Sequence, residues 1–217
     1  MTIRAIYFDM GGVIVRTEFQ APRQHLAERV GMEYEDIVRI VFESETSHQA
    51  SIGAITEDEH WAAVMRRLHL PASETQAVRD EFFAGDIIDH ELLDYIRSLR
   101  KTYKLGMISN AWSGLRPWIV SKKFEDAFDV IVTSAEVGVM KPDPRIYQVA
   151  LEQLDMAPAE AVLLDDFIEN VKAARSFGMQ AIHFIQPDQA LNELKQLLAE
   201  QKYPPALQGD GYMDCVP

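Results

Sequence analysis

The sequence predicts an α/β fold with a parallel sheet, helices on both faces and an inserted helical segment. From residue 89 onward, short apolar or β-branched segments alternate with helical patterns, as expected of βαβ units. An earlier apolar segment is separated from them by a stretch whose apolar residues recur every three or four positions. The 217 residues give room for one such domain with a smaller insert. We therefore expect a Rossmann-like sheet core interrupted by a helical insert.

Residues 3–8 are the first predicted strand, an apolar run broken only by Arg4. Its β-branched and aromatic content and its short length favour a buried strand over a helix. The dipeptide Gly11-Gly12 then signals a turn, and residues 13–15 are expected to form a short extended return.

A helical insert is predicted between this strand and the rest of the sheet. Its apolar side chains recur with helical spacing, and no strand pattern interrupts them. Thr56 and Glu59 have the spacing of a capping box at the start of one helix, which Pro71 is expected to stop. We assign residues 1–16 and 87–202 to the α/β core and residues 17–86 to the helical insert.

Four helix–strand pairs complete the predicted sheet. The helices cover residues 89–101, 115–122, 144–154 and 170–177, and the strands cover 105–109, 130–133, 162–164 and 181–184. Residues 191–201 are predicted to form a final amphipathic helix. Residues 203–217 contain three prolines and two glycines, so we expect this segment to be irregular.

Acidic residues outnumber basic ones, 34 against 21, which gives a net charge of −13. This charge argues against nucleic acid or an anionic membrane as a partner, because both are polyanions. Cys215 is the single cysteine, so neither an intrachain disulfide nor a zinc site of several thiolates is expected. Because the sequence has neither a signal-peptide pattern nor a long apolar run, we expect a cytoplasmic protein. We also expect a monomer or a homodimer.

Polar side chains follow four of the predicted strands. In open α/β sheets, ligands bind outside the carboxyl ends of the strands, so these side chains are expected to share one crevice. They are three carboxylates, a hydroxyl, an amide and an ammonium group. The residues are Asp9, Ser109, Asn110, Lys141, Asp165 and Asp166.

This set of side chains indicates phosphoryl chemistry. Three converging carboxylates repel one another unless a cation neutralises them, and Mg²⁺ prefers such oxygen ligands together with substrate phosphate. Lys141 adds a second positive charge, and phosphoryl transfer is catalysed mostly by positioning and charge neutralisation. Asp9, on the first strand, is then the expected nucleophile, forming an aspartyl-phosphate. Each residue alone could instead cap a helix or form a turn; only their joint occurrence favours a functional site.

Four segments resemble the motifs of the haloacid dehalogenase-like (HAD) hydrolase superfamily. The helical insert is similar to that superfamily's small helical cap, and the resemblance extends from Ile3 to about Phe184. Its four motifs occur here in the family's order. They are Phe8-Asp9-Met10-Gly11-Gly12-Val13, Ile108-Ser109-Asn110, Lys141-Pro142-Asp143-Pro144-Arg145-Ile146-Tyr147 and Leu164-Asp165-Asp166-Phe167-Ile168-Glu169-Asn170.

The resemblance implies an aspartate-nucleophile, Mg²⁺-dependent phosphatase fold and assigns roles residue by residue. Asp9 would be both nucleophile and metal ligand. Gly11 would contribute its backbone carbonyl to the metal, and Asp166 would be the second carboxylate ligand. Asp165 would be a ligand or a partner of the ligands.

The remaining roles concern the phosphate and the loop around it. The resemblance implies that Ser109, Asn110 and Lys141 bind the phosphate, and that Asn170 supports the loop. Lys141 would also take part in catalysis. The expected partner is a small phosphorylated metabolite.

Gly11 departs from the usual phosphatase pattern. That pattern has a second aspartate here, two residues after the nucleophile, as general acid and base, a function typically worth about 10²–10⁴-fold in rate. The backbone carbonyl survives the change, and a sugar-phosphate phosphatase group within the superfamily resembles this chain in having glycine there. Candidate replacements for the missing group are Glu18, His25 and His48, each of which could equally be a surface residue.

Two alternatives stay open. The 2-haloacid dehalogenase branch also lacks the second aspartate, and Lys141 with Tyr147 would fit its pattern. Such enzymes need no metal, however, and the pair Asp165–Asp166 would be costly beside Asp9 without one. The second alternative is a binding protein that keeps the metal and phosphate site but has lost the chemistry.

The charge of the insert bears on the substrate. Between Arg16 and Asp86 the sequence has seven arginines, no lysine and 14 acidic residues, a net charge of −7. Such a segment disfavours a second phosphate or a carboxylate and favours a neutral leaving group such as a sugar or polyol. Trp112 and Trp118 could stack on a ring of the substrate or pack in the core. The sequence thus predicts a Mg²⁺-dependent phosphomonoester hydrolase.

Overall fold

The computed structural model describes residues 2–202, so the predicted irregular segment 203–217 lies outside the described residues. The strands are β1 (Ala5–Phe8), β2 (Val15–Thr17), β3 (Asp86–Ile88), β4 (Lys104–Ser109), β5 (Val130–Thr133), β6 (Ala161–Asp165) and β7 (Gln180–His183). The helices are α1 (Ala21–Val30), α2 (Tyr34–Phe42), α3 (Glu45–Ser51), α4 (Glu57–Arg67), α5 (Thr75–Phe83), α6 (His90–Leu99), α7 (Leu115–Lys122), α8 (Ser134–Val137), α9 (Pro144–Leu154), α10 (Ile168–Phe177) and α11 (Pro187–Lys202). In the described part of the chain, no helix has the length and apolarity needed to span a bilayer.

Five strands form the predicted parallel sheet, in the order β5-β4-β1-β6-β7. The first strand of the chain, β1, is therefore central, with β4 and β5 on one side of it and β6 and β7 on the other. Phe8, the last residue of β1, is in register with Met107 of β4 and Leu164 of β6. The residues that follow these three strands consequently emerge next to one another, as the fold prediction requires.

Alternate residues of β1 supply the two halves of the core. Ile6 and Phe8 pack in an apolar cluster with side chains of α6, α7 and α11, whereas Ala5 and Tyr7 pack with α9 and α10. All four are fully buried, which explains why the strand reads as a continuous apolar run rather than an alternating one. Each large side chain of this kind contributes about 1.5–3 kcal/mol through burial.

The helical insert, defined here as α1 to α5, has an apolar cluster of its own. Side chains of α1, α2, α4 and α5 surround Trp61, which is fully buried. The predicted capping box at the start of α4 is confirmed, with the Thr56 side chain accepting from the Glu59 amide and Glu59 bonding back. The helix ends at Arg67, before Pro71, because the chain turns through His69 in a left-handed conformation (φ 56°).

A two-stranded antiparallel ribbon connects the insert to the core. Val15 of β2 pairs with Ile88 of β3, and Thr17 pairs with Asp86. The sequence does not predict β3, because a three-residue strand whose partner lies about 70 positions away leaves no local periodicity. Arg23 stabilises the ribbon by pairing with Asp86 at 2.8 Å.

Two contacts hold the insert against the core. The Glu57 carboxylate on α4 accepts a hydrogen bond from the Gly114 amide, 2.8 Å away, just before α7. Trp112, in the loop after β4, packs among aromatic side chains of the insert, with its ring centre 4.6 Å from that of His60 and 5.9 Å from that of Phe42. The exact boundaries of a separate cap domain stay a prediction.

Candidate active site

The carboxyl ends of β1, β4 and β6 bring the predicted site residues together. Asp9 directly follows β1, Ser109 ends β4 and Asp165 ends β6, and all three are buried. The loop between α8 and α9 adds Lys141, whose side chain is only 1% exposed. Burial of this many polar groups requires that they satisfy one another or bind a ligand.

Lys141 joins the two carboxylates on either side of it. Its Nζ lies 2.9 Å from Asp9 Oδ2 and 2.6 Å from Asp165 Oδ2, and it donates a third bond to the Ile108 carbonyl at 2.8 Å. Burial alone would lower the pKa of this ammonium group, but the charges of Asp9 and Asp165 raise it above its ordinary value. Lys141 is therefore a permanent cation at the site.

Asn110 fixes the backbone that carries Lys141. Its Oδ1 accepts from the Lys141 amide at 2.7 Å, and its Nδ2 donates to the Lys141 carbonyl at 2.8 Å. The predicted phosphate-binding amide is thus engaged with the lysine loop. The neighbouring Ser109 side chain lies buried at the end of β4, on the strand adjacent to that of Asp9.

Asp165 is bonded through both of its carboxylate oxygens. Oδ2 faces Lys141, and Oδ1 accepts from Asn170 Nδ2 and from the Phe167 amide, each at 2.9 Å. The Tyr147 hydroxyl in turn donates to the Asn170 carbonyl at 3.0 Å. This network holds the loop after β6 and leaves Asp165 less able than its neighbours to bind a ligand.

Asp166 differs from Asp165 because one of its oxygens has no partner. Its Oδ1 is buried and makes no hydrogen bond to any described residue, which is costly for a carboxylate. Its Oδ2 lies against Gly12, where φ is +73° and a Cβ atom would sit 2.0 Å from that oxygen. Glycine at position 12 therefore gives Asp166 the space it occupies.

Three carboxylates, those of Asp9, Asp165 and Asp166, offer oxygens that lie within 4.8 Å of one another. Burial and the neighbouring carboxylates raise the pKa of Asp9 to about 7, although the charge of Lys141 opposes this increase. Burial and the charge of Asp165 raise the pKa of Asp166 to about 6. A concentrated, partly uncompensated negative charge with an unpartnered buried oxygen fits a hard divalent cation such as Mg²⁺.

Gly11 lies exposed at the turn after β1, and nothing comes within 4 Å of a Cβ atom built on it. Among the described residues, the three candidate replacements for a general acid and base make no hydrogen bond to the carboxylates. Glu18 pairs with Arg16 at 3.2 Å, and His25 and His48 are exposed on α1 and α3. Within residues 2–202, none of the three is hydrogen-bonded to Asp9.

Two polar side chains support the site without having been predicted. His183 Nε2 lies 2.9 Å from the Asp166 carbonyl, so the ring must carry its proton on Nε2. Ser134 Oγ accepts from the Ala111 amide at 2.9 Å and so holds the loop after β4. His183 ends β7 in register with Asp165, a relation that becomes visible only once the strand order is known.

A family model for haloacid dehalogenase-like hydrolases matches residues 3–178. The chain belongs to this family. The predicted superfamily resemblance is thereby confirmed, and the protein is a hydrolase of the HAD type.

Several characterised proteins are similar to this HAD hydrolase. A sesquiterpene phosphatase of Aspergillus oryzae is 29% identical and covers 91% of this chain and 97% of its own length. A phosphorylated carbohydrates phosphatase of Thermotoga maritima is 27% identical, covering 90% and 100%. The chain spans only 7% of mouse acyl-CoA dehydrogenase family member 10, with 46% identity over 71 residues. It spans 40% of the bifunctional epoxide hydrolases 2 of rat, pig and mouse that it matches.

Solved structures share the fold. A protein of Porphyromonas gingivalis described as a predicted HAD-like family hydrolase superposes with a TM-score of 0.77 at 25% identity, covering 93% of this chain and 100% of its own. A HAD family enzyme of Bacteroides thetaiotaomicron, solved with magnesium and inorganic phosphate, gives a TM-score of 0.70 at 22% identity, covering 83% and 93%.

Proposed function

We propose that this HAD hydrolase is a Mg²⁺-dependent phosphatase that cleaves a monophosphate ester of a small metabolite through an aspartyl-phosphate on Asp9. The observation that carries the proposal is the pairing of Asp9 with the buried ammonium of Lys141 next to the unpartnered oxygen of Asp166. The proposed nucleophile, a buried ammonium group and an unpartnered carboxylate oxygen lie together at one edge of the sheet. Phosphoryl transfer needs each of these groups.

Asp9, Asp166 and the backbone carbonyl of Gly11 are the groups that would hold the Mg²⁺, with Asp165 behind them as a positioning residue. The chemistry that a bound Mg²⁺ supplies is neutralisation and orientation of the phosphate oxygens. The acidic cluster and the unpartnered oxygen support this assignment. A structural relative from Bacteroides thetaiotaomicron was solved with magnesium and phosphate, which agrees with it.

The residues of the chain perform the remaining steps. A carboxylate oxygen of Asp9 forms a bond to phosphorus as the ester P–O bond breaks, and the leaving alkoxide takes a proton from water. Lys141, with Ser109 at the adjacent strand end, neutralises and orients the phosphate oxygens, and Asn110 holds the backbone of Lys141. Water then attacks phosphorus, which releases inorganic phosphate and returns Asp9 as a carboxylate.

Because Gly11 has no side chain that could donate a proton, we expect slow proton transfer to the leaving group. No side chain at position 11 can protonate the leaving group, and within the described residues Glu18, His25 and His48 make no hydrogen bond to Asp9. Proton exchange with solvent would serve instead, at a cost of about 10²–10⁴-fold relative to a positioned acid and base. We therefore propose that turnover is slow on esters with poor leaving groups.

The substrate we propose carries a single phosphate and no other negative charge. Lys141 and the metal make one small positive site, whereas the segment from Arg16 to Asp86 has a net charge of −7. A sugar phosphate fits this rule, and so does the phosphate of an uncharged hydrocarbon alcohol. Two relatives, a phosphorylated carbohydrates phosphatase and a sesquiterpene phosphatase, represent these two classes.

A 2-haloacid dehalogenase is the second candidate, since Gly11 and Lys141 also fit that branch. The unpartnered oxygen of Asp166 argues against it, because a metal-free enzyme would leave that buried oxygen without a partner, and Lys141 is already shared between Asp9 and Asp165. Tyr147, the other residue of that pattern, has its hydroxyl bonded to the Asn170 carbonyl. A protein that binds metal and phosphate without turnover is the third candidate.

Phosphate release from p-nitrophenyl phosphate, with and without Mg²⁺, tests the proposal. We expect activity that requires Mg²⁺ and that Asp9→Asn abolishes, whereas Asp58→Asn, on the exposed face of α4, retains it. Metal-independent activity, or activity that survives Asp9→Asn, would refute the mechanism. Chloride release from 2-chloropropionate without metal would select the dehalogenase, and Mg²⁺ binding without turnover would select the binding protein.

A further inference from the structure

We infer that the leaving group of the substrate is apolar, so that the natural ester is the monophosphate of a hydrocarbon alcohol rather than of a sugar. The inference rests on the proposed phosphatase function and narrows its substrate class. It comes from three exposed side chains, Phe19, Phe167 and Ile185, here called the apolar rim.

The apolar rim contains the three most exposed large apolar side chains of the described residues. Ile185 is 68% exposed, Phe19 62% and Phe167 61%. Single exposed apolar residues are common and need no explanation, but a group of them at one place on a protein marks a binding surface. Phe167 and Ile185 follow β6 and β7, which are neighbouring strands of the five-stranded sheet, and Phe19 follows β2 of the ribbon that connects the insert to the core.

Two members of the rim are tied to the carboxylate loop by short hydrogen bonds. Phe167 directly follows Asp166, and its amide donates to Asp165 Oδ1 at 2.9 Å. The amide of Phe184, next to Ile185, donates to the Asp165 carbonyl, also at 2.9 Å. Both exposed side chains therefore extend from backbone that lies against the proposed metal site, and neither can move far from it.

Phe19 lies at the junction of the insert and the core. The chain passes from Asp9 through the turn at Gly12, whose amide bonds to the Val15 carbonyl at 2.9 Å, and then along β2. Just beyond β2, the Phe19 amide bonds to the Gly85 carbonyl at 3.2 Å. Phe19 thus stands where the insert joins the core, ten residues along the chain from Asp9.

The surroundings offer little to a polyol. A sugar can stack its C–H face on a phenyl ring, but its hydroxyl groups then need hydrogen-bond partners that replace water. The two arginines nearest the ribbon are already paired, Arg16 with Asp89 and Arg23 with Asp86. Within the described residues, Lys141 is the only Lys or Arg side chain paired with the site carboxylates. An apolar group would instead cover rim surface that water now contacts.

A series of esters with increasing chain length tests the inference. The substrates are methyl, butyl, hexyl and octyl phosphate, compared with glycerol phosphate and glucose 6-phosphate, all with Mg²⁺ and with Asp9→Asn as the blank. A fully buried methylene group increases binding about fourfold, so an open rim should raise kcat/KM about twofold per methylene. We expect hexyl phosphate to exceed both polyol phosphates by at least about tenfold.

Variants of the rim tie this preference to named residues. Phe19→Ser and Phe167→Ser should lower kcat/KM for octyl phosphate about three- to tenfold more than for methyl phosphate. Phe19→Leu and Phe167→Leu should preserve most of the preference, since they keep an apolar surface. Val120→Ser, which changes an exposed apolar residue on α7, should leave the series unchanged.

The outcomes separate the two proposals. If kcat/KM is flat along the series, or if a polyol phosphate is preferred, the apolar leaving group is wrong while the phosphatase stands. If the length dependence exists but the serine variants keep it, the rim is not its cause, and the inference is overturned. If no ester is hydrolysed in a manner that needs both Mg²⁺ and Asp9, the proposed function fails, and the inference fails with it.

Discussion

Replacing Gly11 by aspartate would place a carboxylate two residues after the proposed nucleophile. The structure accommodates it, because a Cβ atom at Gly11 meets nothing within 4 Å and the residue is not among the glycines of positive φ. The adjacent position cannot take a side chain, since a Cβ atom at Gly12 would lie 2.0 Å from Asp166 Oδ2. The substitution therefore tests chemistry without disturbing the turn.

The expected gain follows from two opposing effects. A positioned acid and base is worth about 10²–10⁴-fold in rate. Against it, a fourth carboxylate adds repulsion at a site where the pKa values of Asp9 and Asp166 are already raised to about 7 and about 6. Bound Mg²⁺ offsets part of that repulsion, so we expect the lower end of the range. That is a gain of about 10²-fold in kcat, or about 2.7 kcal/mol in the barrier.

Steady-state kinetics with an alkyl phosphate, whose alkoxide is a poor leaving group, would measure the gain. Gly11→Asn is the matched control, because it has nearly the same shape but cannot transfer a proton. Thermal unfolding of both variants should stay close to the parent, since glycine replacement at a compatible position changes stability by at most about 1 kcal/mol. If Gly11→Asp is no faster than Gly11→Asn, proton transfer at this position does not limit turnover, and the interpretation of Gly11 is wrong.

Three further predictions concern charge and space at the site. Lys141→Met should destabilise the protein by about 3–5 kcal/mol in urea unfolding, because it leaves the buried carboxylates of Asp9 and Asp165 unpaired; unchanged stability would contradict the pairing. Gly12→Ala should raise the Mg²⁺ concentration needed for half-maximal activity by at least about tenfold, since it displaces Asp166; an unchanged Mg²⁺ titration would contradict this. The pKa of Asp9 is about 7 when folded against an ordinary 3.8, so the folded state binds the extra proton. Metal-free stability should therefore fall as pH rises from about 4 to 7, and the Tm increase caused by Mg²⁺ should grow over the same range in thermal scans.

The sequence predicts well which polar side chains the strands bring together, because its signals are local. Each strand of the five-stranded sheet has its own apolar run, and the three carboxylates lie at the ends of such runs, as Asp9 follows β1. Parallel order then places the ends together without further information. The bounds of α7 and α9 agree with prediction for the same reason, since Pro144 fixes the start of α9 and its N-cap is Asp143.

Features that depend on distant partners escape prediction. The strand β3 has three residues, and only its pairing with β2 makes it a strand. The hydrogen bond from His183 to the Asp166 carbonyl depends on two strands becoming neighbours. The use of Asn110 to hold the backbone of Lys141 likewise requires the loop geometry, because an amide at a strand end is equally suited to bind a phosphate.

The β2–β3 ribbon affects how far the helical insert can change in length and content. Val15 pairs with Ile88, so the chain enters and leaves the helical insert at adjacent points. For the five-stranded sheet, the whole insert therefore behaves as one long hairpin loop, and doubling the length of such a loop costs only about 0.6 kcal/mol in closure entropy. Helices within it can be lengthened, removed or exchanged without altering the register of β1 against β4 and β6. The insert and the five-stranded sheet can consequently vary independently within one chain.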